Sequence, residues 1–294
     1  MSTGTDARIH NIGYRNYTGE RFGISYARRA LFLHSLRGSF GLGRSARSKV
    51  LPMGLFGIML APAVVMVAIA AFVGLDELPI AYTSYALFMQ PIVGLYVALA
   101  APQMVSLDLR FKVTPLYFSR PIERRDYVVA KYAALSCAIF LFVALPLVLA
   151  YVGGLLAELG FAEQTKGFGQ GMALSVLFAL MHAALALWVA SLTPRRGFGV
   201  AAVIGVLTIP YFAVTALQAV AYEQGSEQAV GWIGLFSPGT LIDGIQTSFL
   251  GGTSGYPYEQ APTDGAGVAL LAMAILVTVV CYLLLGRRYR KAGL

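Results

Sequence analysis

A stretch of 24 residues decides the fold class of this chain: LPMGLFGIMLAPAVVMVAIAAFVG, residues 51–74. It contains no charged side chain, and nearly all of its residues are apolar. An α-helix rises about 1.5 Å per residue, so about 20 residues cross the hydrocarbon core of a bilayer. The stretch therefore predicts a membrane-spanning helix.

The same kind of stretch recurs along the rest of the chain. Hydrophobic residues make up 57% of the 294 residues and charged residues only 12%, whereas a soluble domain has about 25% charged residues. We therefore predict an all-α integral membrane domain over residues 51–294. Its six predicted spans are 51–74, 81–103, 132–152, 171–192, 197–222 and 265–286.

The basic residues fall on one side of this predicted topology. Of the 22 Lys and Arg residues, 21 lie in residues 1–50, in the segment between spans 2 and 3, in the turn between spans 4 and 5, or in the C-terminal tail. The opposite connections contain only Lys166. Lys and Arg mark cytoplasmic loops, so we expect both termini in the cytoplasm. The net charge of +8 is then a topology signal that suits anionic lipid headgroups, and it does not indicate nucleic-acid binding.

Two segments outside the spans have their own patterns. Within the cytoplasmic segment 1–50, residues 24–40 predict a helix lying on the membrane surface, with a disordered tail as the alternative. Between spans 5 and 6, two short apolar pieces, 229–236 and 240–250, flank Ser237-Pro238-Gly239. Neither piece is long enough to span, so we predict a re-entrant pair of half-helices on the external side. An interfacial loop with one amphipathic helix is the alternative.

The segment SLDLRFKVTPLYFSRPIERRDYVVAK, residues 106–131, holds nine charged residues and two prolines. Its charges would be costly at the centre of a bilayer. Thr114 and Pro115 favour the start of a short helix. Pro121 then interrupts that helix, and a second one follows with Glu123 and Asp126 near its positive N-terminal end. We predict a cytoplasmic elbow with exposed aromatic and cationic groups.

The second half of this segment, SRPIERRDYVVAK at residues 119–131, resembles a known motif. It is similar to the RPISRxxYxxxK segment that follows the second helix in permease subunits of ABC-2 type ABC transporters. Glu123 stands where that family usually has Ser. The six spans, the helix before span 1 and the broken segment before span 6 also resemble the plan of this family, and residues 9–23 resemble the start of permeases from high-GC Gram-positive bacteria.

The resemblance implies a coupling helix, which docks on a separate cytosolic ATPase. The residues that it implies for this contact are Tyr117, Phe118, Arg120, Pro121 and Arg124, with Arg195 and Arg196 at the second cytoplasmic turn. The alternative is that these side chains only solvate loops and contact headgroups. ATP and Mg would bind to the partner ATPase, since this chain has no G-x-x-x-x-G-K-[ST] sequence, and we expect no cofactor or metal in this chain.

Polar residues within the predicted spans are candidates for a translocation path. Gln90, His182 and Gln218 are the most prominent of them, although such residues are often satisfied by a neighbouring helix. Prolines 62, 91, 146 and 210 also lie within spans and predict kinks. Six spans are half of the usual twelve-helix ABC unit, so the resemblance implies a second permease copy, identical or different, with the path at the interface along helices 1, 2 and 5.

We therefore expect a non-enzymatic transmembrane subunit of an ATP-driven exporter in a bacterial cell membrane, moving a lipid, a drug or another hydrophobic compound outward. A membrane-embedded lipid-modifying enzyme is one alternative, but it would need clustered Asp, Glu, His or Cys residues near one membrane face. A secondary transporter is another, but it would be favoured by internal repeats or intramembrane charge pairs. Neither pattern is evident in the sequence.

Overall fold

Eleven α-helices form the regular framework of the computed structural model, which describes residues 13, 18–19, 22–43, 45–118, 122–259, 262 and 265–291. Two short 3-10 segments, Gly234–Phe236 and Pro257–Glu259, complete the regular structure of these residues. The helices are α1 (Ile24–Ser39), α2 (Ala46–Val73), α3 (Tyr85–Phe88), α4 (Gln90–Arg110), α5 (Thr114–Phe118), α6 (Arg124–Leu156), α7 (Phe161–Ser191), α8 (Arg196–Glu223), α9 (Glu227–Ile233), α10 (Pro238–Leu250) and α11 (Ala266–Lys291).

Six of these helices, α2, α4, α6, α7, α8 and α11, are long and apolar enough to cross a membrane. This number confirms the six spans predicted from the sequence. The chain therefore has the architecture of a multi-pass membrane protein, and its fold class is all-α.

The long helix α4 begins later than the second predicted span, 81–103. Residues 81–89 form turns and the short α3, and the long helix α4 begins only at Gln90. Pro91 lies in the first turn of α4, where its missing N–H costs nothing, so it begins a helix and does not kink one. The turn region packs on its neighbours through two tyrosines: the Tyr82 hydroxyl donates to Gln164 Oε1 at 2.7 Å, and the Tyr85 hydroxyl donates to the Met59 carbonyl.

The connection between spans 3 and 4 is also much shorter than predicted. The sequence pattern leaves residues 153–170 outside the spans, but α6 continues to Leu156 and α7 begins at Phe161. Glu163 and Lys166 mark the end of the apolar stretch without breaking the helix, because charged side chains are tolerated in an exposed helical turn. The hydropathy pattern identified the two apolar stretches here but underestimated the lengths of the helices that contain them.

Helices α6 and α7 form the centre of the bundle. In their most apolar windows, 61% and 67% of the residues are buried, against 17–22% in α2, α8 and α11. Alanines such as Ala134, Ala183 and Ala186 are fully buried, and small side chains of this kind let neighbouring helices approach closely. The outer helices therefore leave wide apolar surfaces uncovered, and two of them, α2 and α8, contact α4.

Candidate functional site

The predicted elbow between α4 and α6, which the structure describes except for residues 119–121, lies at the end of the bundle where the basic residues gather. Helix α4 ends at Arg110, Lys112 has a positive φ of 51°, and the short α5 follows. Helix α6 then starts with a capping box, in which the Glu123 amide donates to Asp126 Oδ2 at 3.2 Å and the Asp126 amide donates back to the Glu123 carboxylate. This cap satisfies helix-terminal N–H groups and fixes where α6 begins, so the charged second half of the elbow and the third span form one helix.

A buried polar cluster lies beneath this elbow. Lys131 Nζ pairs with Asp108 Oδ2 at 3.0 Å, and the Tyr127 hydroxyl donates to the same oxygen at 2.6 Å. The Lys131 side chain is only 5% exposed. The Tyr127 ring lies 4.9 Å from the Tyr289 ring near the end of α11. The cluster therefore joins the end of α4, the start of α6 and the end of α11.

The predicted coupling residues of the elbow pack onto this cluster. Tyr117 and Phe118 are half-buried, with ring centroids 5.5 and 6.1 Å from that of Tyr127. The Arg124 guanidinium lies 5.7 Å from the Phe118 ring, and its Nη1 donates to the Arg290 carbonyl at 2.9 Å. The other two predicted residues here, Arg120 and Pro121, lie outside the described residues.

Four of the predicted coupling residues line two separate recesses, Phe118 and Arg124 the first and Arg195 and Arg196 the second. The first, the elbow recess, has a volume of about 670 Å³ and is lined by Ile24, Phe118, Ile122, Glu123, Arg124, Arg125 and Arg290. The second, the basic recess, has about 640 Å³ and is lined by Leu109, Arg110, Lys112, Pro194, Arg195, Arg196, Gly197 and Phe198. The basic recess brings together cations from the α4–α6 and α7–α8 connections, although they are about 85 residues apart in sequence.

Helix α1 is also attached to this end of the bundle. Arg28 pairs with Asp126 at 2.9 Å, so one carboxylate both caps α6 and holds α1. Near the other end of α1, Gln103 Nε2 donates to the Gly38 carbonyl at 2.8 Å. The predicted helix before span 1 therefore packs on α6 and α4.

The three predicted path residues do not lie together. Gln90 lines a cavity of about 470 Å³ between α4 and α8, the α4–α8 cavity, whose walls include Leu95, Leu207 and Phe212. Gln218 is not among its lining residues; its Nε2 donates to the Val230 carbonyl at 2.8 Å. His182 is buried in α7, where its ring stacks on Phe178 and its Nδ1 lies 2.9 Å from the Phe178 carbonyl.

A buried polar site in α10 was not predicted from the sequence. Asp243 is 5% exposed, and its two carboxylate oxygens accept from the Gly255 amide at 3.0 and 2.9 Å. Gln246 Nε2 donates to Asp243 Oδ1 at 2.8 Å and to the Thr253 carbonyl at 3.0 Å. Burial raises the pKa of Asp243 to about 6. The signal in the sequence was one acidic residue within the apolar piece 240–250.

Potential metal ligands are not grouped in this structure: among the described residues, no three His, Cys, Asp or Glu side chains lie close enough to hold one ion. Comparison with known proteins adds no assignment, since no family model matches the chain and no curated protein matches its sequence.

Proposed function

We propose that this chain is the transmembrane permease subunit of an ABC-2 type exporter, powered by a separate cytosolic ATPase. The proposal rests on the Arg-Pro-Ile sequence motif, and it is supported by the short helix before the motif and the capped helix start after it, which join the Asp108–Lys131–Tyr127 cluster. A rigid attachment of this kind suits a segment that must transmit force, because a loosely tethered loop would absorb the displacement.

In this proposal, the ATPase contacts the elbow recess and the basic recess. A displacement of α5 acts through Tyr117 and Phe118 on Tyr127, and from there on α6 and α11. Arg28 and Asp126 extend the same connection to α1. In the proposal, helices α6, α11 and α1 therefore move with the elbow.

The cargo path of this exporter follows the α4–α8 cavity. Its mostly apolar walls, with Gln90 and Thr208 as polar groups, suit a lipid, a drug or another hydrophobic compound. The exposed apolar faces of α2 and α8 flank α4 and would meet a second permease, identical or different. In the bacterial cell membrane, both termini are cytoplasmic, α1 lies in the membrane interface, and α9 and α10 form the re-entrant pair on the external side.

The test is co-purification of the tagged chain from its native membranes. We expect a protein with ATPase activity to accompany the wild-type chain. Phe118→Ala removes the aromatic ring shared by the elbow recess and the Tyr127 contact, so we expect it to lower the recovered ATPase several-fold. Phe72→Ala is the matched control. It removes a phenylalanine that is 91% exposed and lies near the C-terminal end of α2, away from the elbow. A wild-type chain that never brings down an ATPase, or equal recovery with both variants, would contradict the proposal.

A further inference from the structure

A small cavity at the basic end of the bundle is lined by both cationic and apolar side chains. It lies between the end of α1, the first turns of α2, the middle of α4 and the first residue of α8, and its volume is about 230 Å³. Arg47 and Arg196 are its charged lining residues, and Leu51, Leu55 and Leu99 are among its apolar ones. Ser39, Ser48, Tyr96 and Gln103 add neutral polar groups. We call it the α2–α4 cavity.

The two arginines of this cavity have no carboxylate partner in the described part of the chain. The ion pairs found there are Arg28 with Asp126 and Lys131 with Asp108. No Asp or Glu lines the cavity. Two guanidinium groups at one cavity without a counter-charge favour an anion, and the planar guanidinium fork matches phosphate oxygens well.

The position of the cavity along the helices indicates what kind of anion fits. Arg47 is the second residue of α2, and Arg196 is the first residue of α8. Both therefore lie where an apolar helix begins, at the level of lipid headgroups. Leu51 is half exposed at one turn further along α2, and Leu55 is buried one turn beyond it. An acyl chain can leave the cavity along this apolar face, whereas a free phosphate or a nucleotide gains nothing from it.

We propose that the α2–α4 cavity binds an anionic phospholipid, with its phosphate between Arg47 and Arg196 and the start of an acyl chain against Leu51 and Leu55. The proposal requires only that the bundle lies in a membrane, so it does not depend on the assignment as an exporter. A lipid seated there touches α1, α2, α4 and α8 at once.

The test uses the full-length protein in zwitterionic detergent micelles, with phosphatidylglycerol, phosphatidylcholine, glycerol 3-phosphate or inorganic phosphate added. Binding is followed by native mass spectrometry and by the thermal unfolding midpoint. We expect phosphatidylglycerol to bind and to raise the midpoint, and the other three additives to do so only weakly. Equal stabilisation by inorganic phosphate would overturn the assignment to a lipid.

Paired substitutions separate a built site from general charge attraction. The variant Arg47→Gln/Arg196→Gln removes both cations of the cavity, and Lys49→Gln/Arg287→Gln removes two exposed cations at the same end of the bundle that do not line it. We expect the first pair to weaken phosphatidylglycerol binding about tenfold more than the second, since charge-assisted contacts to phosphate are lost only there. Arg47→Lys/Arg196→Lys keeps the charge and should restore part of the binding. Equal losses in both glutamine pairs would overturn the proposal.

Discussion

At the residue scale, the two ion pairs of the elbow region differ in what they contribute. Lys131 and Asp108 are 5% and 16% exposed, whereas Arg28 is 54% exposed. A charge left unpaired away from water is costly, so removing one partner of a buried pair destabilises far more than removing one partner of an exposed pair. The elbow therefore depends on Lys131 more than on any surface contact of α1.

We expect Lys131→Met to lower the free energy of unfolding by about 3 kcal/mol, because it leaves Asp108 without its cation. Arg28→Gln breaks the more exposed Arg28–Asp126 pair and should lower the free energy of unfolding by at most about 1 kcal/mol. Denaturation titrations in mixed micelles measure both values. The combined variant Lys131→Met/Asp108→Asn should cost less than the sum of its two single changes; strict additivity would contradict the coupling of the pair.

The pKa of Asp243 leads to a second prediction at this scale. Its ordinary pKa of 3.8 is raised by burial to about 6 in the folded state. A raised pKa means that protonation favours folding, so this stabilisation is complete below about pH 4 and is lost as the pH rises through about 6. Lowering the pH from 7.5 to 5 should therefore stabilise the wild-type chain by roughly 1 kcal/mol through this group.

The control for this pH effect is Asp243→Asn, which keeps the side-chain shape and an acceptor for the Gly255 amide but does not titrate. Thermal unfolding midpoints of both proteins at pH 7.5 and pH 5 provide the comparison. We expect a larger rise for the wild type than for the variant. Identical pH responses would show that Asp243 has an ordinary pKa.

At the element scale, α9, α10 and the segment after them are held together around one tyrosine. The Tyr256 hydroxyl donates to the Thr240 carbonyl at 2.7 Å. A Cβ at Gly234 would lie 2.2 Å from the Tyr256 hydroxyl, and one at Gly244 would lie 2.6 Å from it. The two glycines are required here by the close approach of a buried side chain.

We expect Gly234→Ala to destabilise the packing of α9, α10 and the Tyr256 region, because the new methyl group collides with the Tyr256 hydroxyl. Overpacking of this kind costs about 1–3 kcal/mol. Gly57→Ala in α2 meets no atom within 4 Å and should be neutral or slightly stabilising. Limited proteolysis of residues 224–265 and the thermal midpoint report the difference. Adding Tyr256→Phe to Gly234→Ala removes the nearest atom and should recover part of the loss; a harmless Gly234→Ala would contradict the packing.

At the scale of the whole molecule, the uneven burial of the spans indicates where a second permease would bind. Helices α2 and α8 are little buried, and both contact α4. The low burial of α11 shows that exposure alone does not identify an interface, since lipid also covers apolar helices. The α4–α8 cavity favours the surface of α2 and α8 over that of α11, because in the proposed exporter this cavity opens toward the partner permease.

A photoreactive benzophenone amino acid tests this arrangement in membranes. At Ile58 in α2 or Ile209 in α8, which are 51% and 70% exposed, it should give a cross-linked product of about twice the chain mass. Leu276 in α11 is 55% exposed and serves as the control, for which we expect little product. Mass spectrometry of the product shows whether the second chain is identical. Cross-linking from α11 and not from α2 or α8 would contradict the proposed interface.

The sequence by itself determined the fold class, the number of spans and the elements of the elbow. These properties depend on local patterns: a charge-free run such as 51–74 predicts a span wherever it occurs, and the Thr114-Pro115 and Glu123-Asp126 pairs mark helix starts without reference to distant residues. Local hydropathy failed at the helix ends. It placed the second span at residue 81 and ended the third at 152, because a helix can begin after its apolar stretch or continue beyond it.

Only the tertiary structure decided which side chains meet. It brought Lys131 to Asp108 and Tyr289 to Tyr127, placed Arg47 and Arg196 at one cavity, and left Gln90, His182 and Gln218 apart. The physical reason is that these contacts join residues far apart in the chain. Their formation depends on how helices pack side by side, and the hydropathy of a single helix contains almost no information about its neighbours.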